Sequence, residues 1–432
     1  MNNDKAHYKE AISYLYGLQK YGIKFGLSKT SRLLKAFGDP HLGQKYVHVA
    51  GTNGKGSVAS FLASILKQAG FKVGLYSSPH LVRFTERFRI CDEEITQEKA
   101  GNLINELREA FAPDEPPTFF EATTAMALVY FARENTDIAI MEVGMGGRLD
   151  ATNVISPLVS VITNISLEHQ FFLGSRLLDI ASEKAGIIKK DVDVITGATQ
   201  PSVIALFKSL AKEKSAPLWR VGKDVRYRTT GSGLHYFGLN RRINGLHPGL
   251  KGKYQFRNVA LALAALERLE EKGFDISSSD IREGLEKTVW PGRMHVIGRE
   301  PTIILDGAHN PAAIRALADS IRSDFKYRRV ILVIGVMEDK DIGQLLRGIV
   351  PLSDYVIYTM PVYFRASRPE VLMAEAAPLG KPGEIAPQLR GALDRAKEMA
   401  NPGDLIVVSG SLFTVGEAMT YFDPETYRPD DL

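Results

Sequence analysis

Two hydrophobic periods alternate along most of the chain. Short apolar runs of strand character include YVHVAG, KVGLYSS, DIAIMEVG, LVSVITNI and DVDVITG. Between them lie longer stretches with apolar residues three and four positions apart, such as SVASFLASILKQAG and FFEATTAMALVYFAREN, which is the spacing of one helix face. Strands that alternate with helices in this way predict a mostly parallel, doubly wound α/β sheet.

The pattern changes near residue 220 and resumes after the stretch WPGR. Residues 220–250 are turn-rich runs of strand character, which predict an antiparallel meander, and helices are expected at about 256–272 and 279–287. Four further strand-led units then begin with TIILDG, RRVILVIG, DYVIYT and DLIVVSG. We therefore expect a larger domain over residues 1–297 and a smaller α/β domain over residues 298–432, with a surface loop where Pro and Gly cluster at 377–387.

Composition narrows the class of protein. The 432 residues suggest two or three domains at about 150 residues each, and the 44% apolar and 24% charged content is typical of a globular protein. The formal charge of +4 fits small anionic substrates. The sequence contains no basic run with interleaved aromatic residues, which is the pattern that would indicate nucleic-acid binding. Since no run of 18 apolar residues occurs and the chain opens on a polar helical pattern, we expect neither a membrane span nor a secretory segment. The single cysteine, Cys91, excludes internal disulfides, so we expect a cytoplasmic protein.

The first of the strand-to-helix connections reads HVAGTNGKGSV and departs from the common phosphate-loop pattern. That pattern is G-x-x-x-x-G-K-[ST], but here Val49 occupies the first glycine position and Gly56 separates Lys55 from Ser57. Glycines between a buried strand and a helix still allow successive N–H groups to surround an anion. The alternative is a glycine-rich turn with a solvated lysine. We interpret the stretch as a phosphate site, which by itself names no reaction.

Polar residues follow three of the predicted strands. Ser78, Glu142 and His169 each stand just past a strand end, where ligands bind in open α/β sheets. A hydroxyl, a carboxylate and an imidazole are acceptable ligands for a magnesium ion that also binds ATP phosphates. Taken singly, Ser78 fits a turn hydroxyl and His169 fits a loop residue, whereas a carboxylate ending an apolar strand needs a partner. Together they predict a magnesium site.

Long motifs distributed along the chain resemble one family. They are FGLSKTSRLLKAFGDP, HVAGTNGKGSV, GLYSSPHLVRFTERFRI, TFFEATT, EVGMGGRLDATN, SEKAGIIK, WPGRMHVI, ILDGAHNP and GVMEDKD, and they extend from about residue 24 to residue 414. The chain resembles the folylpolyglutamate synthase and dihydrofolate synthase family, relatives of the Mur ligases. The resemblance implies a P-loop-containing doubly wound sheet domain followed by a smaller Rossmann-like domain. It also implies ATP-dependent addition of L-glutamate to dihydropteroate, to the γ-carboxylate of reduced folates, or to both, through an acyl phosphate.

The resemblance also assigns roles to individual residues. ATP contacts fall on Asn53, Gly54, Lys55, Gly56, Ser57, Asn258, Arg293 and Asp306. The magnesium ligands are Ser78, Glu142 and His169, and a carbamylated Lys184 reaches a second magnesium ion, although the sequence alone favours a solvated lysine on an amphipathic helix there. The catalytic residues are Lys184, His309 and Asp306, and a monovalent cation such as K⁺ belongs to the expected cofactors.

Two substrate regions follow from the same resemblance. The folate or pteroate region comprises Phe25, Gly26, Leu27, Thr118, Leu149, Asp150 and Ala151, and the glutamate region comprises His309 and Ser411. Two departures from the family pattern affect the folate site: the stretch LEHQFF around the metal histidine, and Tyr254 where a histidine is common.

Several alternatives stay open from sequence. One is a folylpolyglutamate synthase without the dihydrofolate synthase activity, and another is a Mur-type amino-acid ligase, although the loop starts too early for a preceding nucleotide-sugar domain. A P-loop switch ATPase and a catalytically inactive folate-binding relative are the others. For the favoured bifunctional ligase the expected partners are ATP, L-glutamate and folates, without nucleic acid or membrane, and the expected state is a monomer.

Overall fold

The structure, a computed structural model, describes residues 2–111 and 115–430, with side chains described from Ala6 onward. The first part contains eight strands in one sheet: β1 (Tyr46–Ala50), β2 (Val73–Tyr76), β3 (Phe88–Ile90), β4 (Glu93–Glu94), β5 (Ile138–Glu142), β6 (Val159–Ile162), β7 (Asp193–Thr196) and β8 (Leu218–Arg220). Their order is β4-β3-β2-β5-β1-β6-β7-β8, and only β3 and β4 run antiparallel to their neighbours. The predicted mostly parallel sheet is confirmed.

Helices cover both faces of this sheet. They are α1 (Asn2–Gly17), α2 (Ser28–Ala36), α3 (Lys55–Gln68), α4 (Gln97–Glu109), α5 (Phe119–Arg133), α6 (Gln170–Leu173), α7 (Leu177–Ala185), α8 (Pro201–Glu213), α9 (Gln255–Glu270) and α10 (Ser278–Lys287). Alternate strand residues face opposite cores: Val47 and Val49 pack with α3 and α9, whereas Tyr46 packs with α1 and α5. Burial on both faces explains the continuous apolar runs of the strands.

A three-stranded antiparallel sheet follows, as the turn-rich pattern predicts. Its strands are β9 (Arg226–Thr230), β10 (Gly233–Phe237) and β11 (Arg242–Leu246). One face of this sheet, with Leu234, Tyr236 and Ile243, joins the same core as α9.

The second large sheet has the order β12-β13-β17-β14-β15-β16 and is parallel except for β12. Its strands are β12 (His295–Arg299), β13 (Thr302–Asp306), β14 (Val330–Ile334), β15 (Tyr355–Tyr358), β16 (Gly383–Ile385) and β17 (Leu405–Ser409). Its helices are α11 (Pro311–Asp324), α12 (Ile342–Ile349), α13 (Pro369–Ala376), α14 (Leu389–Met399) and α15 (Leu412–Phe422). The predicted domain division between residues 297 and 298 lies within β12.

Short 3₁₀ helices and one corrected loop complete the description. The 3₁₀ helices are Leu18–Tyr21, Phe84–Arg87, Ala151–Val154, Val350–Leu352 and Ala377–Leu379. The expectation of a loop throughout 377–387 is wrong, because β16 pairs with β15 at the sheet edge there. Within the described ranges, none of the helices has the length and hydropathy needed to cross a membrane.

Candidate active site

The loop after β1 needs glycine at two positions for steric reasons. Gly51 has a φ of +142°, and a Cβ there would overlap the Thr163 side chain. Gly54 has a φ of +85°, and its Cβ would lie 2.6 Å from Asn258 Oδ1. Because α3 begins directly afterwards at Lys55, the backbone amides of the loop gather at a helix N-terminus, which is an anion-binding arrangement.

The glycine that follows the lysine also has a steric reason. A Cβ on Gly56 would lie 2.7 Å from the indole nitrogen of Trp290, so the first turn of α3 packs directly against this side chain. Ser57 is buried, and its hydroxyl accepts a hydrogen bond from Gln255 Nε2 at 3.2 Å. The irregular motif therefore reflects contacts with Trp290 and α9.

The segment after β6 fixes the loop from the other side. The Asn53 amide donates to Asn164 Oδ1 at 3.0 Å, and the Asn53 carbonyl accepts from Thr163 Oγ1 at 2.7 Å and from Asn164 Nδ2 at 2.9 Å. The Lys55 ammonium lies over the loop and donates to the Thr52 carbonyl at 3.3 Å. Sequence reasoning missed Thr163 and Asn164. Their position directly after a buried strand could have indicated a role at the same end of the sheet.

Ser78 and Glu142 meet at the ends of the paired strands β2 and β5. The Glu142 carboxylate is buried and accepts from the Ser78 amide at 3.4 Å. Burial raises the pKa of Glu142, and the positive charges of Lys55 and Arg293 oppose that rise. Since a carboxylate can accept about four hydrogen bonds, this one retains acceptor capacity toward a cation.

His169 occupies a left-handed backbone position with a φ of +51° immediately before α6. Burial lowers the pKa of His169 to about 4 despite the opposing charge of Glu168, so at neutral pH its ring is uncharged and can act as a metal ligand. Among the described residues no three or more His, Cys, Asp and Glu side chains gather as a metal cluster. The magnesium site of Ser78, Glu142 and His169 stays a prediction, which rests on ligand types that magnesium accepts beside nucleotide phosphates and water.

Lys184 is buried near the end of α7, with 3% of its surface exposed. Its ammonium donates to the Gly51 carbonyl at 2.8 Å, which places it beneath the phosphate loop. Burial, together with the charge of Lys55, lowers the pKa of Lys184 to about 7. The solvated lysine that the sequence favours is therefore wrong for this position.

Asp306 ends β13 and organises the start of the second sheet. Its carboxylate accepts from the Met294 amide at 2.8 Å, from the Ala308 amide at 2.9 Å and from the Tyr254 hydroxyl at 3.3 Å. Burial raises the pKa of Asp306, and the Arg293 charge opposes the rise. Tyr254, noted from sequence only as a departure, is thus a hydrogen-bond partner of a predicted site residue. Asn258 is buried nearby and donates to Gln255 Oε1 at 2.8 Å.

His309 and Asn310 bring the second sheet to the phosphate loop. His309 shares hydrogen bonds with the Gly307 carbonyl at 2.8 Å and with Glu168 Oε1 at 3.0 Å. Asn310 Nδ2 donates to Asn53 Oδ1 at 2.8 Å and to Glu168 Oε1 at 3.2 Å. Burial alone would raise the pKa of Glu168, but the hydrogen bond and charge of His309 hold it well below its usual range. Sequence reasoning assigned no role to Glu168 or Asn310.

Ser411 is buried at the N-terminus of α15. Its hydroxyl accepts from the Thr414 amide at 3.0 Å and shares a hydrogen bond with the Thr414 hydroxyl at 2.8 Å. The neighbouring Gly410 amide donates to the Ala308 carbonyl at 3.2 Å, so the backbone of this segment adjoins the His309 loop. The observed role of the hydroxyl is helix capping.

The residues expected at the folate site occupy adjoining loops. The Gly26 amide donates to the Leu149 carbonyl at 3.3 Å, which joins the segment Phe25–Leu27 to the loop that contains Leu149, Asp150 and Ala151. The partly exposed Phe25 ring packs edge-to-face on Phe172, with 6.2 Å between ring centroids.

Two of the expected folate residues have structural partners. Thr118 caps α5 in a reciprocal arrangement with Glu121. Asp150 is buried and accepts from the amides of Met145 at 2.9 Å and Thr152 at 3.0 Å. Burial raises the pKa of Asp150. Any contact of these two side chains with substrate would come in addition to these roles.

A cleft connects these features at the junction of the two large sheets. Its lining includes Gly56 of the phosphate loop, Ser78 and Glu142 of the strand ends, and Trp290 and Arg293 of the connecting segment. Helix α15 contributes Leu412 and Met419. Of the predicted ATP and magnesium residues, Gly56, Arg293, Ser78 and Glu142 therefore line a common space.

Known proteins match this arrangement along most of the chain. The Mur ligase middle domain family matches residues 49–266, and the family described as Mur ligase, glutamate ligase domain matches residues 292–412. The dihydrofolate synthase/folylpolyglutamate synthase of Bacillus subtilis is 31% identical over 422 residues, which are 95% of this chain and 98% of the relative. The chain belongs to the folylpolyglutamate synthase/dihydrofolate synthase family.

A longer member of this family comes from Haloferax volcanii, where the probable bifunctional folylpolyglutamate synthase/dihydropteroate synthase is 37% identical over 445 residues. That match covers 98% of this chain, and the chain spans about half the length of that relative, 52%. This chain is therefore similar to one part of that longer relative.

Solved structures of the family share the fold. The E. coli FolC in complex with DHPP and ADP is 34% identical, has a TM-score of 0.89 and covers 96% of this chain and 98% of its own. A bifunctional folylpolyglutamate synthase/dihydrofolate synthase with Mn, AMPPNP and L-glutamate bound is 32% identical and has a TM-score of 0.85, and the match covers 95% of this chain and 97% of that protein's chain. The expected Mur-ligase-like fold is confirmed.

Proposed function

We propose that this chain ligates L-glutamate to dihydropteroate and to the γ-carboxylate of reduced folates, with conversion of ATP to ADP and phosphate. The observation that carries this proposal is the junction at which the phosphate loop meets His309 and Asn310 of the second sheet. An ATP site on one side and a candidate amine site on the other suit a ligase, whereas a P-loop switch ATPase needs no second α/β domain there. The E. coli relative binds ADP, and the bifunctional synthase solved with Mn and AMPPNP also binds L-glutamate.

The ligation reaction requires specific roles of the residues at this junction. A carboxylate does not react with an amine, because its oxygen is a poor leaving group. Phosphorylation by ATP converts the carboxylate to an acyl phosphate, from which phosphate can leave. Lys55 and Arg293 would offset the charge that develops on the transferred phosphoryl group, and the protein acts mainly by positioning and electrostatics. The glutamate amine then attacks the acyl carbon, the C–O bond to phosphate breaks, a water molecule takes the amine proton, and an amide forms. Magnesium held by Ser78, Glu142 and His169 supplies Lewis-acid polarisation when bound.

His309 suits glutamate binding better than proton abstraction in this arrangement. Its two ring nitrogens are already engaged, one by the Gly307 carbonyl at 2.8 Å and the other by the Glu168 carboxylate at 3.0 Å. A role as the base that takes the amine proton requires the hydrogen bond with Glu168 to open first.

Carbamylation of Lys184 is a finer part of the proposal. The neutral amine adds to carbon dioxide and releases a proton to water, which leaves a carbamate anion. A pKa of about 7 supports this step, because a substantial fraction of the side chain is neutral near physiological pH. The resulting carboxylate would offer a ligand for a second magnesium ion beneath the phosphate loop.

Other expectations from the sequence remain predictions. They are the K⁺ requirement, the monomeric state, the cytoplasmic location, the two-domain division near residue 297, and the contacts of Ser411 with glutamate and of the Phe25, Thr118 and Leu149 segments with the pterin ring. Potassium dependence of the rate and sedimentation of the purified chain test the first two directly.

A paired assay tests the proposed function. Purified protein is incubated with ATP, magnesium and glutamate, once with dihydropteroate and once with a reduced monoglutamyl folate, and ADP and ligated product are quantified. We expect equimolar ADP and product with both acceptors. Product with the folate alone would restrict the function to polyglutamate synthesis, and ATPase activity indifferent to either acceptor would favour the switch ATPase.

A further inference from the structure

One carboxylate connects the two large sheets across the candidate active site. Glu168 belongs to the segment after β6 in the first sheet, and 9% of its surface is exposed to solvent. It reaches His309 Nε2 at 3.0 Å and Asn310 Nδ2 at 3.2 Å, both in the loop after β13. The same oxygen, Oε1, makes both contacts, so a single atom holds two neighbouring residues of the opposite domain.

The contact continues to the phosphate loop. Asn310 and Asn53 exchange side-chain amide contacts at 2.8 and 3.3 Å, and the Asn53 backbone is itself held by Asn164. Asn310 is also the N-cap of α11, where its side chain accepts from the Ala313 amide. Displacing Glu168 would therefore loosen the loop that places His309 and α11 against the phosphate site.

We propose that Glu168 is a positioning residue that draws the second domain onto the phosphate loop and fixes the orientation of His309 at the glutamate site, an inference that rests on the proposed ligase function. His309 can face substrate only while its ring orientation is fixed, and two acceptors fix it: the Gly307 carbonyl within its own loop and Glu168 across the junction. Of these two contacts, only the one with Glu168 depends on how the domains meet. Glu168 thus couples domain contact to the orientation of a substrate-binding side chain.

A double-mutant cycle tests this coupling. The variants are Glu168→Ala, His309→Ala and the double variant, with kcat and KM measured separately for glutamate and for ATP. A hydrogen bond to a charged group contributes about 1.5–3 kcal/mol, so each single variant should lose about 10- to 100-fold in kcat/KM for glutamate. We expect the double variant to lose no more than about twofold beyond His309→Ala.

Asp404→Asn is the matched control. Asp404 is also buried and is held by Arg329 Nε at 3.0 Å, but it precedes β17 at the end of the sheet away from the junction. Thermal unfolding compares the stability of Asp404→Asn with that of Glu168→Ala, and Asp404→Asn should keep the glutamate kinetics of the unchanged protein. Multiplicative losses in the double variant would overturn the proposal, since Glu168 would then act independently of His309.

A second measurement separates this inference from the proposed function. Solution scattering with AMPPNP and magnesium reports how closely the domains approach, whatever the acceptor substrate. Glu168→Ala and His309→Ala should each increase the radius of gyration relative to the unchanged protein, and Asp404→Asn should not. An unchanged radius in Glu168→Ala would overturn the positioning role. Absence of ligation by the unchanged protein would instead contradict the proposed function.

Discussion

Burying the Lys184 ammonium raises the free energy of the folded chain, because desolvation disfavours the charged form. The side chain has one hydrogen bond, to the Gly51 carbonyl at 2.8 Å, and Lys55 adds repulsion from nearby. This position is therefore poorly suited to a permanent ammonium and well suited to a group that loses its proton. Carbamylation would replace the unfavourable cation with an anion next to Lys55.

The pH dependence of stability should reveal the buried amine. In carbon-dioxide-free buffer the folded-state pKa of Lys184 is about 7 against 10.5 unfolded, so between these values only the unfolded chain binds the proton. Stability must then rise with pH, by about 1.4 kcal/mol per unit, or roughly 2–3 kcal/mol from pH 7 to pH 9. Denaturant unfolding of the unchanged protein and Lys184→Met should give a difference with this slope. A difference independent of pH would contradict the assigned protonation.

Replacing Lys184 by Ala should abolish ligation, and small carboxylates such as acetate should restore part of it by occupying the vacated space. The matched control is Lys189→Ala, which removes a partly buried lysine that donates to the Asn153 carbonyl at 3.0 Å outside the predicted site residues. Ligation rates measured with increasing acetate distinguish the two variants. Full activity of Lys184→Ala without acetate would remove this residue from the mechanism.

At the scale of single elements, α3 shows why the phosphate loop departs from the usual pattern. Its first turn packs against Trp290 at Gly56, and its N-terminus packs against Asn258 at Gly54. The strand, the glycines and the helix are predictable from sequence, because each is a local pattern. The requirement for glycine after Lys55 is not, since it depends on an indole 234 positions later (290 minus 56).

Gly56→Ala should therefore weaken nucleotide binding and destabilise the fold. The new Cβ would lie 2.7 Å from Trp290 Nε1, and such overpacking costs about 1–3 kcal/mol. The matched control is Gly391→Ala. Gly391 is exposed in α14 and has open space around its Cβ position, so this variant should stabilise the folded protein by about 0.5–1 kcal/mol. Thermal unfolding compares the stability of the two variants, and AMPPNP titration compares their nucleotide affinity. Unaltered stability and affinity in Gly56→Ala would contradict the close packing on Trp290.

The strands that the sequence did not predict share physical features. β3, β4, β8, β12 and β16 have two to five residues each, and they lie at or near sheet edges. Edge strands bury less apolar surface, so their hydrophobic pattern is weak, as in the exposed and half-buried His295–Arg299. The central strands of both sheets were predictable because they are buried on both faces.

At the scale of the whole molecule, function depends on contacts between residues that are distant in sequence. Glu142 and Lys55 could be selected from local motifs, because polar residues at strand ends are visible in the sequence. The pairing of Glu168 with His309 joins positions 141 residues apart and depends on how the two sheets face each other, which no local pattern specifies. The burial of Lys184 was hidden for the same reason.

Transfer of an oxygen isotope tests the central claim, which is ligation through an acyl phosphate formed on the folate acceptor. Dihydropteroate labelled with ¹⁸O in its carboxylate is incubated with the protein, ATP, magnesium and glutamate, and the released phosphate is analysed by mass spectrometry. The account predicts one labelled oxygen in each phosphate and one amide product for each ADP. Phosphate without label, or ADP release without glutamate ligation, would contradict it.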